Sequence, residues 1–169
     1  MKKVIKVKLD PQSVADAIKE IQEYKADLER RVRQMLRMFT DNGIRIAKAK
    51  VVELGIIHDS KLTNSIYGFV RDNVGFLRVD DENAVFFEFG TGPVGASNPH
   101  PLGGNYKSEG WFTQADGAQM HRLYGWRPLV NNDGSYYYFT EGQKAKPFMY
   151  ETALKLRDEF PRIVREVFG

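Results

Sequence analysis

The chain has 169 residues, a net charge of +3 and no cysteine, with 42% hydrophobic and 28% charged residues. This length and composition predict one soluble, globular domain that is large enough to bury a core. The lack of cysteine excludes disulfides, a thiolate nucleophile and cysteine-ligated metal centres, and so mild a net charge does not by itself indicate a nucleic-acid partner.

The N-terminal segment, residues 3–9, predicts an edge strand. Apolar and lysine side chains alternate there with the period of a half-buried strand, and lysines on an exposed strand edge discourage wrong pairing. Lys6, Lys8 and Asp10 interrupt any signal-peptide core, and no run approaches the roughly 20 apolar residues of a membrane span. We therefore expect a protein that remains in the cytoplasm where it is made, with no membrane partner.

A long amphipathic helix is predicted over residues 13–40, followed by a kink or break at Asp41-Asn42-Gly43 and a second helix over 44–54. Its apolar side chains form a stripe with heptad spacing: Val14, Ile18, Ile21, Leu28, Val32, Met35 and Phe39. The stripe either covers the protein's own sheet or also packs against a neighbouring subunit. We favour the first interpretation for most of its length, and the helix is long enough for both.

The middle of the chain predicts an antiparallel meander. Short apolar runs with turn residues between them favour strands at 65–71, 75–80, 84–89 and 136–140. Asp72-Asn73 and Asp81-Glu82-Asn83 stand where hairpin turns are expected. The last helix is predicted to begin at Pro147 and to kink or restart at Pro161.

Residues 93–135 form a predicted loop insertion between two strands, within a single domain 1–169. This segment is rich in glycine and proline, and long loops in compact domains are usually functional or mobile. We expect it to be the main interaction surface, through its aromatic side chains Trp111, Phe112, Tyr124 and Trp126. Deleting it should then spare folding and abolish assembly.

No sequence motif supports an enzyme. The chain lacks a nucleophile elbow, a Walker-type loop and a zinc-protease motif, and Gly90-Thr91-Gly92-Pro93 is predicted to be a tight turn after a strand. His100 and His121 share the insertion with Asp116, while His58 lies apart. Their spacing fits no common metal site, so we expect ordinary loop residues and neither metal nor cofactor.

Glu88 lies within a very apolar run and must be paired or exposed. A catalytic interpretation would make it a general base, but no second catalytic group is placed to work with it. We expect it instead to accept hydrogen bonds from backbone amides near Gly90–Gly92, or to pair with a basic residue.

Arg30, Arg33 and Arg37 would share one face of the long helix. They are the candidate DNA-contact residues, because a row of guanidinium groups can bind phosphates. A solvated outer face is the commoner role of such a row. A DNA-binding module that contacts phosphates through this helix is the alternative function.

Three segments in order resemble the gene-product-ten-like tail-component family of long-tailed bacteriophages and prophages. They are Asp59-Ser60-Lys61-Leu62-Thr63-Asn64-Ser65-Ile66, the run Glu88-Phe89-Gly90-Thr91-Gly92, and Ala145-Lys146-Pro147-Phe148-Met149. The first has Ser60-Lys61 where the family has Thr-Gly and lacks the family's proline. In the third, Ala145 replaces a proline. The resemblance spans residues 13–168, and the insertion is where family members vary most.

The resemblance implies a virion protein that completes the tail or joins it to the head. Such proteins act in rings at the neck, beside connector or adaptor proteins and tail-tube or tail-terminator proteins, with incidental contact to phage DNA. The expected fold is α+β, with an antiparallel sheet of four to five strands packed against a long N-terminal helix and a C-terminal helix. Glu88, Gly90, Thr91 and Gly92 should hold a structural turn, and Pro147 and Phe148 should dock the last helix on the sheet.

Overall fold

A computed structural model of the chain describes residues 4, 7–56, 60–104, 111–114, 129–130 and 136–169. Its helices are α1 (Pro11–Glu53), α2 (Ser60–Asn64), α3 (Ala84–Phe89), α4 (Gly92–Ser97) and α5 (Phe148–Phe168). Its strands are β1 (Ile66–Arg71), β2 (Val74–Val79), β3 (Trp111–Gln114), β4 (Leu129–Val130) and β5 (Tyr136–Thr140). The α+β class is thus confirmed.

The chain divides into two compact units. The first unit comprises Met1–Lys50, Thr63–Val79 and Glu151–Gly169. The second unit comprises Val51–Leu62 and Asp80–Tyr150.

Helix α1 is continuous over 43 residues, about 64 Å at ~1.5 Å per residue. The predicted break at Asp41-Asn42-Gly43 is therefore wrong. A Cβ atom on Gly43 would lie 3.2 Å from the side chains of both Leu77 and Leu156. The glycine is thus a point of close packing inside the helix, and the packing offsets its low helix propensity.

In the first unit, α5 runs antiparallel to the C-terminal half of α1. Phe39 meets Phe160 edge to face with ring centroids 5.5 Å apart, and Lys50 pairs with Glu151 at 2.7 Å. Arg31 donates to the carbonyl oxygen of Val167 at 3.0 Å, where a cation stabilises the last carbonyls of a helix. The end of α5 therefore lies level with Arg31.

The β1–β2 hairpin confirms the first part of the predicted meander. The strands pair antiparallel, with Phe69 opposite Phe76. Asp72 and Asn73 have φ of 52° and 60°, as a two-residue type I′ turn requires. The hairpin approaches α1 closely at Gly68, where a Cβ atom would overlap the methyl group of Thr40.

Residues 84–89 form helix α3, so the predicted third strand is wrong. The backbone amides of Phe86 and Phe87 donate to the carbonyl of Asn83, and Gly90 donates to that of Phe86. Short apolar runs do not distinguish a strand from a buried helical turn, because both bury most of their side chains. The turn predicted at residues 81–83 is present, but it opens this helix.

The strand predicted at 136–140 is confirmed as β5. It pairs antiparallel with β3 and β4, which both lie within the predicted loop insertion, instead of joining β1 and β2. The described strands thus form a two-stranded and a three-stranded sheet, and a single sheet of four to five strands is not shown. Helix α4 (Gly92–Ser97) covers the first residues of the insertion, 93–97.

The two ends of the chain differ from expectation. Val4 and residues 7–9 have no strand structure, and Leu9 is fully exposed, so the predicted N-terminal strand is absent from the described residues. Helix α5 begins directly after Pro147, as predicted, but continues through Pro161 without a second segment. None of the helices in the described ranges is long and apolar enough to cross a membrane.

Candidate functional site

The carboxylate of Glu88 lies at the N-terminus of α5. Its Oε2 accepts the backbone N–H of Met149 at 2.9 Å, and its Oε1 accepts that of Tyr150 at 2.9 Å. The first amides of a helix have no partner within it and lie at the positive end of the helix dipole. Glu88 therefore caps α5 from a distant part of the sequence, and not through amides near Gly90–Gly92. The other expectation, a pairing with a basic residue, corresponds to its contact with His100.

His100 completes this arrangement, which we call the Glu88 cluster (Glu88, His100 and the amides of Met149 and Tyr150). Its Nε2 lies 3.2 Å from Glu88 Oε1, and its Nδ1 accepts the backbone N–H of Leu102 at 3.1 Å. Because Nδ1 accepts, the proton of the neutral ring belongs on Nε2 and is donated to the carboxylate. The ring is buried between Phe89 and Tyr150.

The four residues of the predicted structural turn all lie at or beside this cluster. Gly90 and Gly92 have φ of 71° and 64°, and Thr91 between them exchanges backbone hydrogen bonds with Gln143 at 2.8 and 3.0 Å. A Cβ atom on Gly90 would lie 2.6 Å from the nitrogen of Ala145. Glycine is required here both by backbone conformation and by space. The turn leaves a helix, however, and not a strand.

The predicted docking residues Pro147 and Phe148 lie at the start of α5, which begins at Phe148. Phe148 is completely buried. Just before it, the amide of Lys146 donates to the carbonyl of Phe87 at 2.7 Å, and its ammonium donates to that of Gly55 at 2.8 Å. Burial lowers the pKa of Lys146 below its usual 10.5, and the neighbouring charge of Lys144 lowers it further. Docking of Phe148 on a sheet is not shown.

The Glu88 cluster is built to hold segments together. Each carboxylate oxygen accepts at least one hydrogen bond, both ring nitrogens of His100 are engaged, and both side chains are buried. Groups used in this way are not available to a substrate without breaking the cap of α5. In the described part of the chain, no three His, Asp or Glu side chains are grouped as metal ligands. His58, Asp116 and His121 lie outside the described residues.

The three candidate DNA-contact arginines line shallow surface grooves of α1. Arg30 pairs with Asp27, and Arg33 lies 3.7 Å from Glu29. The larger groove, of about 660 Å³, combines Arg33 and Arg37 with the carboxylates of Asp41 and Asp72. The row is therefore largely balanced by acidic neighbours, as on a solvated helix face.

The N-terminal part of α1, residues 11–29, carries an apolar stripe whose large side chains are exposed, although Ala17 on the same face is buried. We call this segment the stalk. Five large apolar side chains there are exposed: Val14, Ile18, Ile21, Tyr24 and Leu28. The same stripe is covered by α5 farther along α1, where Phe39 is half-buried and Ile46 is 2% exposed. The favoured interpretation, a stripe that covers its own sheet, therefore fails for the stalk.

A second exposed surface lies on the hairpin and was missed by sequence reasoning. Phe69 stacks on Phe76 with centroids 4.8 Å apart and on Tyr67 at 6.2 Å, and Arg71 lies 5.8 Å above the Phe76 ring. All three rings are more than a third exposed. The register places Arg78 opposite Tyr67 on this aromatic face. The alternation of aromatic residues with aliphatic residues and glycine in 66–70 was the signal that could have revealed it.

The predicted interface aromatics lie in the least described part of the chain. The backbones of Trp111 and Phe112 belong to β3, which pairs with β5. Their side chains, and all of Tyr124 and Trp126, lie outside what the structure describes.

Comparisons of the chain with protein-family models, with curated proteins and with solved structures found no match.

Proposed function

We propose that this protein is a structural component of a bacteriophage particle, which completes the tail or joins it to the head by assembling into a ring. The observation that carries the proposal is the uncovered apolar stripe of the stalk. Large contiguous apolar surfaces on soluble proteins mark sites of association. In a virion protein, the stripe would be buried by neighbouring subunits, in the cytoplasm during assembly and in the neck or tail afterwards.

The construction of the motif segments supports a structural role. The residues that resemble the phage family are those that tie the chain together: Leu62 and Ile66 are buried, Glu88 caps α5, and Phe148 is fully enclosed. A protein selected for assembly needs a rigid frame more than it needs a reactive cleft. We also propose that the assembled protein has a single antiparallel sheet of four to five strands.

The proposed function can be tested in phage particles that are made without this protein. Phage particles made without this protein should accumulate as separate full heads and tails, which electron microscopy distinguishes directly. The purified protein, measured by light scattering and negative-stain imaging, should form closed rings alone or after addition of connector or tail-tube proteins. Normal joined particles in the absence of the protein would contradict the proposed function.

The DNA-binding alternative makes a different prediction. Phosphate contacts by Arg30, Arg33 and Arg37 would give binding to duplex DNA that weakens steeply with salt. Two of these arginines already pair with carboxylates of their own helix, which favours the assembly role. Tight, salt-sensitive DNA binding that the triple alanine variant loses would reverse this ranking.

A further inference from the structure

We propose that the stalk of one copy packs on the aromatic face of the hairpin in a neighbouring copy, so that the chains associate head to tail. This inference rests on the proposed function and specifies its interface. The stripe of one copy is thus covered by a second copy of this chain, which contributes its hairpin and not its own stripe.

The two surfaces match in length and in character. The apolar stripe from Val14 to Leu28 rises about 21 Å along α1 at ~1.5 Å per residue. The strands of the hairpin have six residues each, which span about 20 Å. Each surface presents large apolar side chains to solvent along this distance. A helix laid on a two-stranded sheet is one of the common ways to bury such a pair of faces.

The charges of the two surfaces are opposite in sign. The stalk has five carboxylates and two lysines, a net charge of −3, although Asp27 and Glu29 also pair with arginines just beyond residue 29. Glu20 and Glu29 border the apolar stripe, at ~100° per residue around the helix. The aromatic face of the hairpin carries Arg71 and Arg78 among its rings, and Arg71 also lies 3.7 Å from Asp72 in the turn. Opposite charge around an apolar centre favours encounter and sets the orientation of docking.

Pairing of two stalks with each other is less favourable. Two segments of net charge −3 would repel, and Lys25 stands in the heptad series between Ile18 and Val32. A lysine at such a seam position lowers the stability of a coiled coil. When the stripe packs on a two-stranded hairpin instead, the side chain of Lys25 can extend past the edge of the sheet into solvent.

Nucleic acid is also a poorer occupant of the aromatic face. Single-stranded nucleic acids bind through bases that stack on exposed ring faces. Phe69 stacks on both Tyr67 and Phe76, and Arg71 lies over the Phe76 ring. Much of each ring face is therefore covered by a neighbouring group of the hairpin. The exposed parts of the rings form an apolar surface on which side chains of another protein can pack.

A head-to-tail contact between different surfaces has a structural consequence. After binding, the pair of copies keeps one free stalk and one free hairpin, so that association continues until a ring closes. Both surfaces belong to the first unit, so that the interface is complete without any residue of the second unit. This is the type of contact that a ring-forming neck component needs.

The absence of native cysteine makes a clean cross-linking test possible. Two full-length variants, Ile21→Cys on the stalk and Phe69→Cys on the hairpin, are purified reduced, mixed and oxidised mildly. We expect one dominant covalent species that contains one copy of each variant. Ala26→Cys, on another side of the stalk and also exposed, is the matched control and should cross-link to Phe69→Cys at least about tenfold less. Circular dichroism checks that each variant is folded.

Charge variants of the same two cysteine chains test the electrostatic part of the contact. Adding Arg71→Glu to the Phe69→Cys chain should lower the cross-linking yield about fivefold, as loss of an exposed charge pair predicts. Adding Glu20→Arg and Glu29→Arg to the Ile21→Cys chain should restore part of it.

Several results would overturn the inference. A dominant disulfide between two copies of the Ile21→Cys variant would show that stalks pair with each other. Equal cross-linking from Ala26→Cys would show random collision. No cross-linking at protein concentrations of several hundred micromolar would show that the two surfaces do not bind. Binding of a labelled oligothymidylate to the aromatic face would identify nucleic acid as its occupant. Each result leaves the proposed function testable, because joining of heads and tails is scored separately in particles.

Discussion

At the scale of single residues, Glu88 has the largest consequence for this fold. Its carboxylate accepts amides from residues 61 and 62 positions away and a histidine 12 positions away. A charged acceptor at a helix N-terminus is stabilised by the helix dipole, and two backbone N–H groups would otherwise be unsatisfied. Glu88 is thus the point where α3, α5 and the His100 segment are held together.

Replacing Glu88 by Gln should lower the free energy of unfolding by about 3 kcal/mol. The amide nitrogen of the new side chain would face an N–H donor, so that at least one buried donor loses its acceptor. Urea denaturation followed by circular dichroism measures the change. Glu23→Gln, on the exposed stalk, is the control and should change stability by less than about 0.5 kcal/mol. Equal stability of the two variants would show that the Glu88 cluster is not a stabilising feature.

A second prediction concerns the loss of stability when Gly90 is replaced. Gly90→Ala combines a φ of 71° with a Cβ atom 2.6 Å from the nitrogen of Ala145, so a loss of about 3 kcal/mol or more is expected. Gly103→Ala, with a φ of 83° and open space around it, carries the backbone strain alone and should lose only about 1 kcal/mol. Thermal unfolding of both variants makes the comparison. A similar loss in both would mean that space around Gly90 is not limiting.

At the scale of elements, the first unit depends on close approach of the hairpin to α1. Gly68→Ala would drive a methyl group into Thr40 and should lower stability by about 2 kcal/mol. Thr40→Ser removes the methyl group but keeps the hydroxyl bond to the carbonyl of Leu36. A double-mutant cycle should therefore show that Thr40→Ser recovers part of the loss. Strict additivity of the two changes would show that the overlap with Thr40 is not the cause of the loss.

On helix α1, the Asp27 carboxyl is affected by neighbouring arginines, and the effect can be measured by titration. Hydrogen bonds from Arg30 and then Arg31 hold the pKa of the Asp27 carboxyl below its usual 3.8. The depressed pKa means that the stabilisation is present above pH 3.8 and is lost as pH falls through the folded value. NMR titration should give the Asp27 carboxyl a pKa below 3.8. The combined Arg30→Gln and Arg31→Gln change should raise this pKa toward 3.8, and an unchanged pKa would assign the shift to another cause.

At the scale of the whole molecule, the stalk separates folding from assembly. Ile18 and Ile21 are each more than half exposed, so Ile18→Ser with Ile21→Ser should change the free energy of unfolding by less than about 1 kcal/mol. The same variant should no longer self-associate, as light scattering would show. Ile46→Ala, at 2% exposure, should instead lose about 2–4 kcal/mol. Undiminished self-association of the stalk variant would exclude the stripe as an interface.

The insertion at residues 93–135 needs a different experiment from the one that its sequence suggests. Its deletion would remove His100 from the Glu88 cluster and both strand partners of β5. We therefore expect the deletion to destabilise the second unit, which contradicts the expectation that folding would be spared. Loss of assembly in such a variant would not identify an interface.

Features that depend on neighbouring residues could be predicted from the sequence. The hairpin with its Asp72-Asn73 turn, the start of the last helix after Pro147 and the α+β class all follow from local spacing and turn chemistry. The importance of Glu88 was also visible, because a carboxylate in an apolar run needs a partner.

Features whose partners are far apart in the chain could not be predicted from local sequence and became visible in the folded structure. Packing against Leu77 and Leu156 keeps Gly43 inside one continuous helix, and the amides of α5 give Glu88 its bonds. The stripe of α1 has the same spacing in both halves, yet α5 covers one half and leaves the other exposed. Periodicity predicts which side chains share a face, whereas what covers that face depends on where the rest of the chain lies.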